Sequence, residues 1–552
     1  THPRSSAASD VYKRQICPSR ARRFMRYAIT MVLIIVMLPL SGIVSAENKT
    51  VENDDFQTNS VLESYSAPVR LAFDRVSNLD SYTTEELYHS RDWLVVTSIP
   101  ISEHAITHSK PISSKETGIL PGSFVWELEG GLKPIDRLSE SLTIGEIESF
   151  SPLVDRVHHE RYLPNDPELS SQWHLENYGQ TGGVSGEDAN LTGAWNSYNG
   201  SGVVISIVDD GLDISHPDIS PNYDQSASYD WCNDDSDPTP LSYDGHGTAA
   251  AGVAAAVGNN SLYVSGAAFG ASVAGSNLIS CSTSDYLESQ ALSYENDYVD
   301  IYSNSWGPTD DGQRLAAPGP LMVAAFENDV YQGRDGLGNV ITWAAGNGLG
   351  SNDNSNYDGY ANSRFTIAVT AITHLGQQSS YAEPGANILV AAHSNGDGES
   401  ITTTDIVGSG GYNSSGNVTD TFGGTSSATP LASGVIALML EANQNLTWRD
   451  VQHILVNSAR MNNQSDPSWE VNGAGHDVSH KYGFGAVDAG AAVSMASSWT
   501  NVDEEVNLSI GPMIENFQID DGNSSWSEFN TSTTTDITCL LYTSPSPRDG
   551  HQ

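Results

Sequence analysis

The sequence predicts an α/β layer fold with a mainly parallel sheet flanked by helices over about residues 162–500. Three observations carry this. Short Ile/Val-rich runs recur between stretches with helix-like spacing. The first such run, Val203–Val208, ends in Asp209-Asp210. Far downstream, Gly424-Thr425-Ser426 opens a long apolar run, as the start of a buried helix would.

The elements follow in order. Val203–Val208 is apolar except for Ser206, which fits a strand covered on both faces. Gly247–Val257 is rich in Ala and Gly, as a tightly packed buried helix would be. Further strands are expected at Asp300–Ser303, Asn339–Trp343, Phe365–Val369 and Asn387–Ala391. Leu431–Leu440 is apolar enough for a central helix. Thr447-Trp448-Arg449-Asp450 has capping-box spacing ahead of Val451–Leu455, with Asp in place of Glu or Gln. Ligands of open α/β sheets gather beyond strand C-termini, where Asp209 would stand.

Composition narrows the partners. The 552 residues carry a formal net charge of -44 with only 17% charged residues, so the imbalance reflects missing bases. No lysine occurs between Lys133 and Lys481. Such a surface repels nucleic acid and anionic membranes, and it suits cationic substrates, calcium and saline surroundings. Solubility alone would also account for it. The chain has four Cys, of which Cys232 and Cys281 lie in the main body; disulfides are not expected to carry the fold, and pairing is not legible.

The ends suggest processing. Met25–Ala46 reads as a secretory signal: Arg26 supplies charge, Ala28–Leu40 an apolar core and Val44-Ser45-Ala46 small residues for cleavage. Its apolar stretch is short for a stable membrane span, so a secreted protein is expected; an uncleaved anchor is the alternative. Residues 1–24 hold a stretch, Thr1–Gln15, that resembles a translated sequencing-adapter end, as do residues 539–552. Both are set outside the fold, and the natural protein is expected to continue beyond about Thr538. Residues 47–161 contain strand-like pieces, Trp93–Thr97 and Phe124–Leu128, and suggest a small α+β domain. Residues 501–538 turn polar and acidic, like the start of another domain.

A serine hydroxyl is a poor nucleophile at neutral pH. It needs an adjacent base, and the base needs an orienting acid. Ser426 at a helix start, His246 in a His-Gly-Thr turn and Asp209 at a strand end supply those types. Singly they read as an N-cap, a loop residue and a turn residue; jointly they fit a triad. A helix start also places an N–H and positive potential near a developing oxyanion. Ala344-Ala345-Gly346-Asn347-Gly348 follows an apolar strand, so Asn347 could donate a second hydrogen bond there.

With the order Asp, His, Ser, the chain resembles subtilisin-type serine endopeptidases over about Asp166–Val502, specifically the kexin/furin branch. The specific matches are Ser305-Trp306-Gly307-Pro308-Thr309-Asp310-Asp311-Gly312, Asn356–Ser363 and Glu441–Asp450. The resemblance implies an autoprocessed propeptide over residues 47–161, a calcium-stabilised catalytic domain and a following β-rich P domain, here truncated. Arg156 and Arg161 are candidate processing points. It further implies that Asp310 and Asp358 hold a basic side chain just before the cut, which suits the need of a buried cation for paired acceptors. Asp210 and Asp244 would face the next residue back, Glu288 and Tyr360 the outer basic residue, and Ser305 belongs with the substrate-binding set. Ala316 departs from the pattern, where furin-like members place an Asp. Three calcium sites are implied, matching calcium's preference for carboxylate and carbonyl oxygens. One uses Asp166, Asp218 and Asn260 with the carbonyls near Val257 and Leu262. The second uses Asp310, Asp353 and Glu383, and the third Asp230, Asp235 and Asp237. The function implied is secreted, calcium-dependent cleavage after Arg or Lys through an acyl-enzyme. A broad-specificity extracellular protease and a catalytically silent calcium-binding module are the alternatives.

Overall fold

The computed structural model describes residues 60–79, 82–99, 111–154 and 163–505. The expected signal segment, both foreign-looking ends, Arg156, Arg161 and residues 506–538 lie outside these. The described chain forms two compact units, one within 60–154 and one within 163–505.

The first unit runs α1 (Ala67–Val76), α2 (Thr84–His89), β1 (Asp92–Val96), β2 (Ser113–Glu116), β3 (Ser123–Glu127), α3 (Lys133–Thr143) and β4 (Ser149–Pro152). Its sheet has the antiparallel order β2-β3-β1-β4. Trp93 faces Trp126 across β1 and β3, and both pack with Val95, Leu138 and Phe150. Thr83 and Glu86 close a capping box on α2.

The second unit continues with α4 (Leu191–Ala194), β5 (Val204–Asp209), β6 (Tyr229–Asp230), α5 (His246–Ala255), β7 (Ser272–Asn277) and α6 (Asp285–Leu292). Then come β8 (Ile301–Asn304), α7 (Pro320–Gln332), β9 (Val340–Ala344), β10 (Thr366–Ile372), β11 (Ile388–His393), β12 (Ile401–Thr404) and β13 (Val418–Phe422). The unit closes with α8 (Thr425–Ala442), α9 (Trp448–Ser458), β14 (Glu470–Val471), β15 (Asp477–Val478) and α10 (Ala489–Ala496). The main sheet has the order β11-β10-β9-β8-β5-β7-β6, and every pair is parallel.

This sheet has a core on each face, which explains the near-absence of polar residues in β5. Ile205 and Ile207 join the core with α5 and α8; Val204 and Val208 join the one with α6 and α7. From β5 the chain steps to β6 and β7 on one side, then returns to β8 on the other. Asp209 therefore ends a strand where the winding reverses, the place where such sheets form a crevice. The strands at 301, 340, 366 and 388 begin within one residue of expectation, the last two running two or three residues longer, and the Thr447–Asp450 capping box is made. β7 was not anticipated: Ser272, Gly275, Ser276 and Asn277 hide it among polar residues, although most of the strand is buried. Cys232 and Cys281 pair, joining the turn after β6 to the segment after β7 across 49 residues. Closing a loop of that length is worth ~4 kcal/mol in chain entropy, a clasp on a fold already carried by two cores.

Candidate active site

Three elements carry the predicted triad residues. Asp209 ends β5 fully buried, His246 begins α5, and Ser426 is the second residue of α8. Backbone requirements explain the flanking glycines. Gly424 caps α8 at φ 76°, a conformation that side chains disfavour. At Gly247 a Cβ would stand 2.9 Å from the Asp209 Cβ, so only glycine lets α5 begin against the end of β5.

His246 Nδ1 lies 2.8 and 3.0 Å from the two Asp209 carboxylate oxygens. Burial alone would push this imidazole down; the Asp209 carboxylate, with Asp210 behind it, overrides burial and holds it up at about 9. The Phe422 ring meets the imidazole edge-on at 5.4 Å. Ser426 Oγ donates to the Ser305 carbonyl at 3.3 Å rather than to His246, and Ser305 Oγ donates to the Ser426 carbonyl at 3.0 Å. That carbonyl is free for Ser305 because Pro430, four residues on in α8, has no N–H to offer it. Apo active sites commonly show such relaxed serine geometry. Asn347 sits exposed just beyond β9, and its Oδ1 accepts from Thr425 N at 2.8 Å and from Thr425 Oγ1 at 3.1 Å. The amide is thereby oriented with Nδ2 as its available donor.

The predicted acids divide into those the fold gathers and those it does not. Asp310, Asp353 and Glu383 bring carboxylate oxygens within 4.8 Å of one another, the only such acidic, His or Cys group among the described residues. Asp310 also accepts from Asn347 N at 2.8 Å, and Glu383 from Gly348 N at 2.8 Å. Burial and then the neighbouring carboxylates push Glu383 up to about 8; burial, then Asp310 and Asp353, push Asp358 up to about 7. Asp310 is raised for the same reasons. The three clustered carboxylates of Asp310, Asp353 and Glu383 are a ligand set in search of a cation, so these residues fit calcium. Asp166, Asp218 and Asn260 also converge: Asp166 accepts from Asn260 N at 3.1 Å, and Asn260 Nδ2 donates to Asp218 at 2.9 Å. Val257 N donates to the Asp218 carbonyl and Leu262 N to Asn260 Oδ1, wrapping the loop around Asp218.

The third predicted set, Asp230, Asp235 and Asp237, does not bring its carboxylates into one close group as the second set does. Asp230 is buried, and its carboxylate accepts from Cys232 N, Asn233 N and Nδ2, and Asn277 Nδ2. Asp235 and Asp237 are exposed and accept from their own turns, Asp237 N and Thr239 N respectively. The Asp235 and Asp237 carboxylates each cap a local Asx turn, and Asp230 pairs with Asp235 through the backbone.

Among the remaining substrate-binding residues, Tyr360 Oη donates to Glu288 at 2.8 Å, and Thr283 Oγ1 donates to the other Glu288 oxygen at 2.7 Å. Trp306, Trp343 and Tyr360 stack around that pair. Ala316 pairs by backbone with the Tyr357–Gly359 segment and offers no carboxylate. Asp210 caps α5 through His246 N and Gly247 N, and burial and then Asp209 push it up to about 7. A cleft beside His246 is lined by Asp210, Tyr243, Gly245, Gly411 and Tyr412; Asp244 is not among its lining residues. Phe422, Tyr412 and Asp405 were not anticipated. The available signal was an aromatic residue directly before Gly-Gly-Thr-Ser.

The profile of the Subtilase family (Peptidase_S8) matches residues 200–485. A PC3-like endoprotease (variant B) of Hydra vulgaris is 35% identical over 500 residues, covering 86% of this chain and 68% of that protein. Human furin is 40% identical over 346 residues, covering 61% of this chain and 42% of furin. The crystal structure of the serine protease of Aeromonas sobria aligns with a TM-score of 0.59 at 28% identity, covering 63% of this chain and 70% of that one. The chain belongs to the subtilase family of serine proteases. Within it, the relatives place it with the kexin/furin-type serine endopeptidases. It spans between about two fifths and two thirds of the length of these curated relatives.

Proposed function

We propose that this chain is a secreted, calcium-dependent endopeptidase that cuts after Arg or Lys. The observation that carries the reading is the Asp209–His246 hydrogen bond beside Phe422, four residues before Ser426, with Asn347 tying Thr425 at the start of α8 to Asp310. In this reading Ser426 Oγ attacks the scissile carbonyl while His246 Nε2 takes its proton. Asp209 holds the imidazole in the tautomer that permits this and stabilises the imidazolium. The oxyanion is met by Asn347 Nδ2 and by the Ser426 N–H at the helix start. His246 then returns its proton to the leaving amine, and water repeats the sequence on the acyl-enzyme.

Asp358 and Asp310 supply the acceptors for the basic side chain. Asp358, held at about 7 by burial and like charges, is a carboxyl that a cation would ionise on arrival. Calcium would be held by Asp310, Asp353 and Glu383, and by Asp166, Asp218 and Asn260 with the Val257 and Leu262 carbonyls. When bound it supplies charge neutralisation. At the first of these sets, Asp310 also anchors the Asn347 backbone, so order there reaches the oxyanion donor. The 60–154 unit is read as the chain's own inhibitory propeptide. Nucleic acid is not a partner. Among the described residues no helix is long and apolar enough to cross a membrane.

A second reading, broader specificity, draws support from Ala316 and from a Glu288 carboxylate already engaged by two hydroxyls. A peptide library decides between them. Cleavage confined to bonds after Arg or Lys is expected, and equal cutting after apolar residues would sink the basic-selective reading. Ser426→Ala should lower kcat by roughly 10⁶-fold and abolish fluorophosphonate labelling.

A further inference from the structure

We propose that the β12–β13 hairpin is a brace for the catalytic base, with Asp405 and Phe422 as positioning residues; this rests on the proteolytic reading above. Asp209 grips His246 at Nδ1 only, and a grip at one ring nitrogen leaves the ring free to tilt about that contact. Phe422 removes that freedom. It is 2% exposed, and it meets the imidazole at 74° with 5.4 Å between ring centroids. Tyr412 backs Phe422 in turn, at 5.9 Å.

The loop that carries Tyr412 is organised by one side chain. Asp405 is fully buried and forms no ion pair among the described residues. Its Oδ1 accepts from Ile406 N at 2.9 Å and Tyr412 N at 3.0 Å, and its Oδ2 accepts from Asn413 N at 2.6 Å. Burying a carboxylate without a cation is costly, and these N–H groups are what offset it. What the arrangement secures is a loop fixed against the residues before His246. Gly411 N donates to the Ser242 carbonyl at 2.9 Å, and the Gly411 Cα stands 3.0 Å from where a Gly245 Cβ would be. The far end of the loop is held as well, since the Asn417 carbonyl accepts from Asp405 N at 2.9 Å and contacts His216 Nε2 at 2.7 Å. The hairpin is therefore a rigid prop whose inner face is an aromatic edge on the imidazole.

The test uses the full mature chain and a peptide with Arg before the cut. Kinetics are read alongside the low-field proton resonance of the His246–Asp209 hydrogen bond. Phe422→Leu should lower kcat by roughly ten- to a hundredfold with KM within about twofold, and should broaden that resonance. Phe422→Tyr should recover most of the rate, and Asp405→Asn should track Phe422→Leu. Tyr412→Ala, at a half-exposed site that threatens folding least, should cost roughly threefold in kcat. Folded Phe422→Leu and Asp405→Asn proteins with wild-type kcat and an unchanged resonance would overturn the brace. If those variants do not fold, unchanged kcat and resonance in Tyr412→Ala would overturn it. A wild-type protein that neither cleaves nor shows the resonance would count against the proteolytic reading itself, and the brace would fall with it.

Discussion

Two histidines of this molecule, one partly exposed and one buried, have opposite chemistry. His246 is held up at about 9, and His174 is pushed down to about 3. Desolvation lowers both, although His246 keeps 26% of its side chain exposed and His174 none, so desolvation alone does not give them opposite directions. His246 shares Asp209 at 2.8 Å, a carboxylate fixed at a strand end. His174 has no partner at either ring nitrogen and packs edge-on against Trp173, which His374 and His393 also meet. The nearby carboxylate, Glu187, is 3.7 Å from His393 and already paired with Arg460 at 2.9 Å. What makes a base of a desolvated imidazole is a dedicated carboxylate. Without one, the same residue is a neutral space-filler.

Swapping that carboxylate breaks the comparison most severely. Asp209→Asn should lower kcat by about 10⁴-fold, because an amide no longer fixes the tautomer or balances the imidazolium. Glu187→Gln should leave kcat within about twofold. Steady-state kinetics on both variants check this, and similar losses would show that the two sites are not distinct in kind.

Stability against pH should separate the two residues in direction. His246 has a raised folded pKa, so its contribution of ~3 kcal/mol is complete below about 6.5 and is lost as pH rises through about 9. His174 has a depressed one, so up to ~5 kcal/mol is lost as pH falls from about 6.5 towards 3, where the unfolded chain takes the proton. Denaturant unfolding across that range should give a shallower acid limb for His174→Phe with the alkaline limb unchanged. An unaltered acid limb would show that His174 is not the group responsible.

Carboxylates without a counter-charge extend the comparison to acids, with the smallest expected effect. Calcium should raise the melting temperature of the wild-type chain by several degrees, corresponding to ~2 kcal/mol, and Glu383→Gln should remove part of that gain. A calcium response identical in both proteins would dissociate Glu383 from the ion.

The same distinction governs what was legible in sequence. Asp209, His246, Asn347 and Ser426 each stand at or just past the end of an element announced by an apolar or Ala/Gly-rich run, which is why their settings could be read from sequence. The Asp310, Asp353 and Glu383 cluster was recoverable only through resemblance, since its members lie on loops whose folding leaves little periodic trace. Asp230, Asp235 and Asp237 had the spacing of a site, and the structure shows that one oxygen each of Asp235 and Asp237 also serves a local Asx turn. β7 was missed because sheet pairing overrides its polar composition. The aromatic prop behind His246 was illegible for a related reason: it spans a hairpin whose loop is set by one buried carboxylate rather than by any repeating pattern.

The separation of the triad residues along the chain has a consequence in time. Asp209 comes from the middle of the sheet, His246 from the next crossover, and Ser426 from a helix that follows every strand of that sheet. A ribosome delivers them in that order, and domains fold as units once their sequence is complete. No nascent chain that stops short of Ser426 holds nucleophile and base together. Hydrolytic power thus has to wait until the whole sheet has been synthesised, a delay written into the order of its elements.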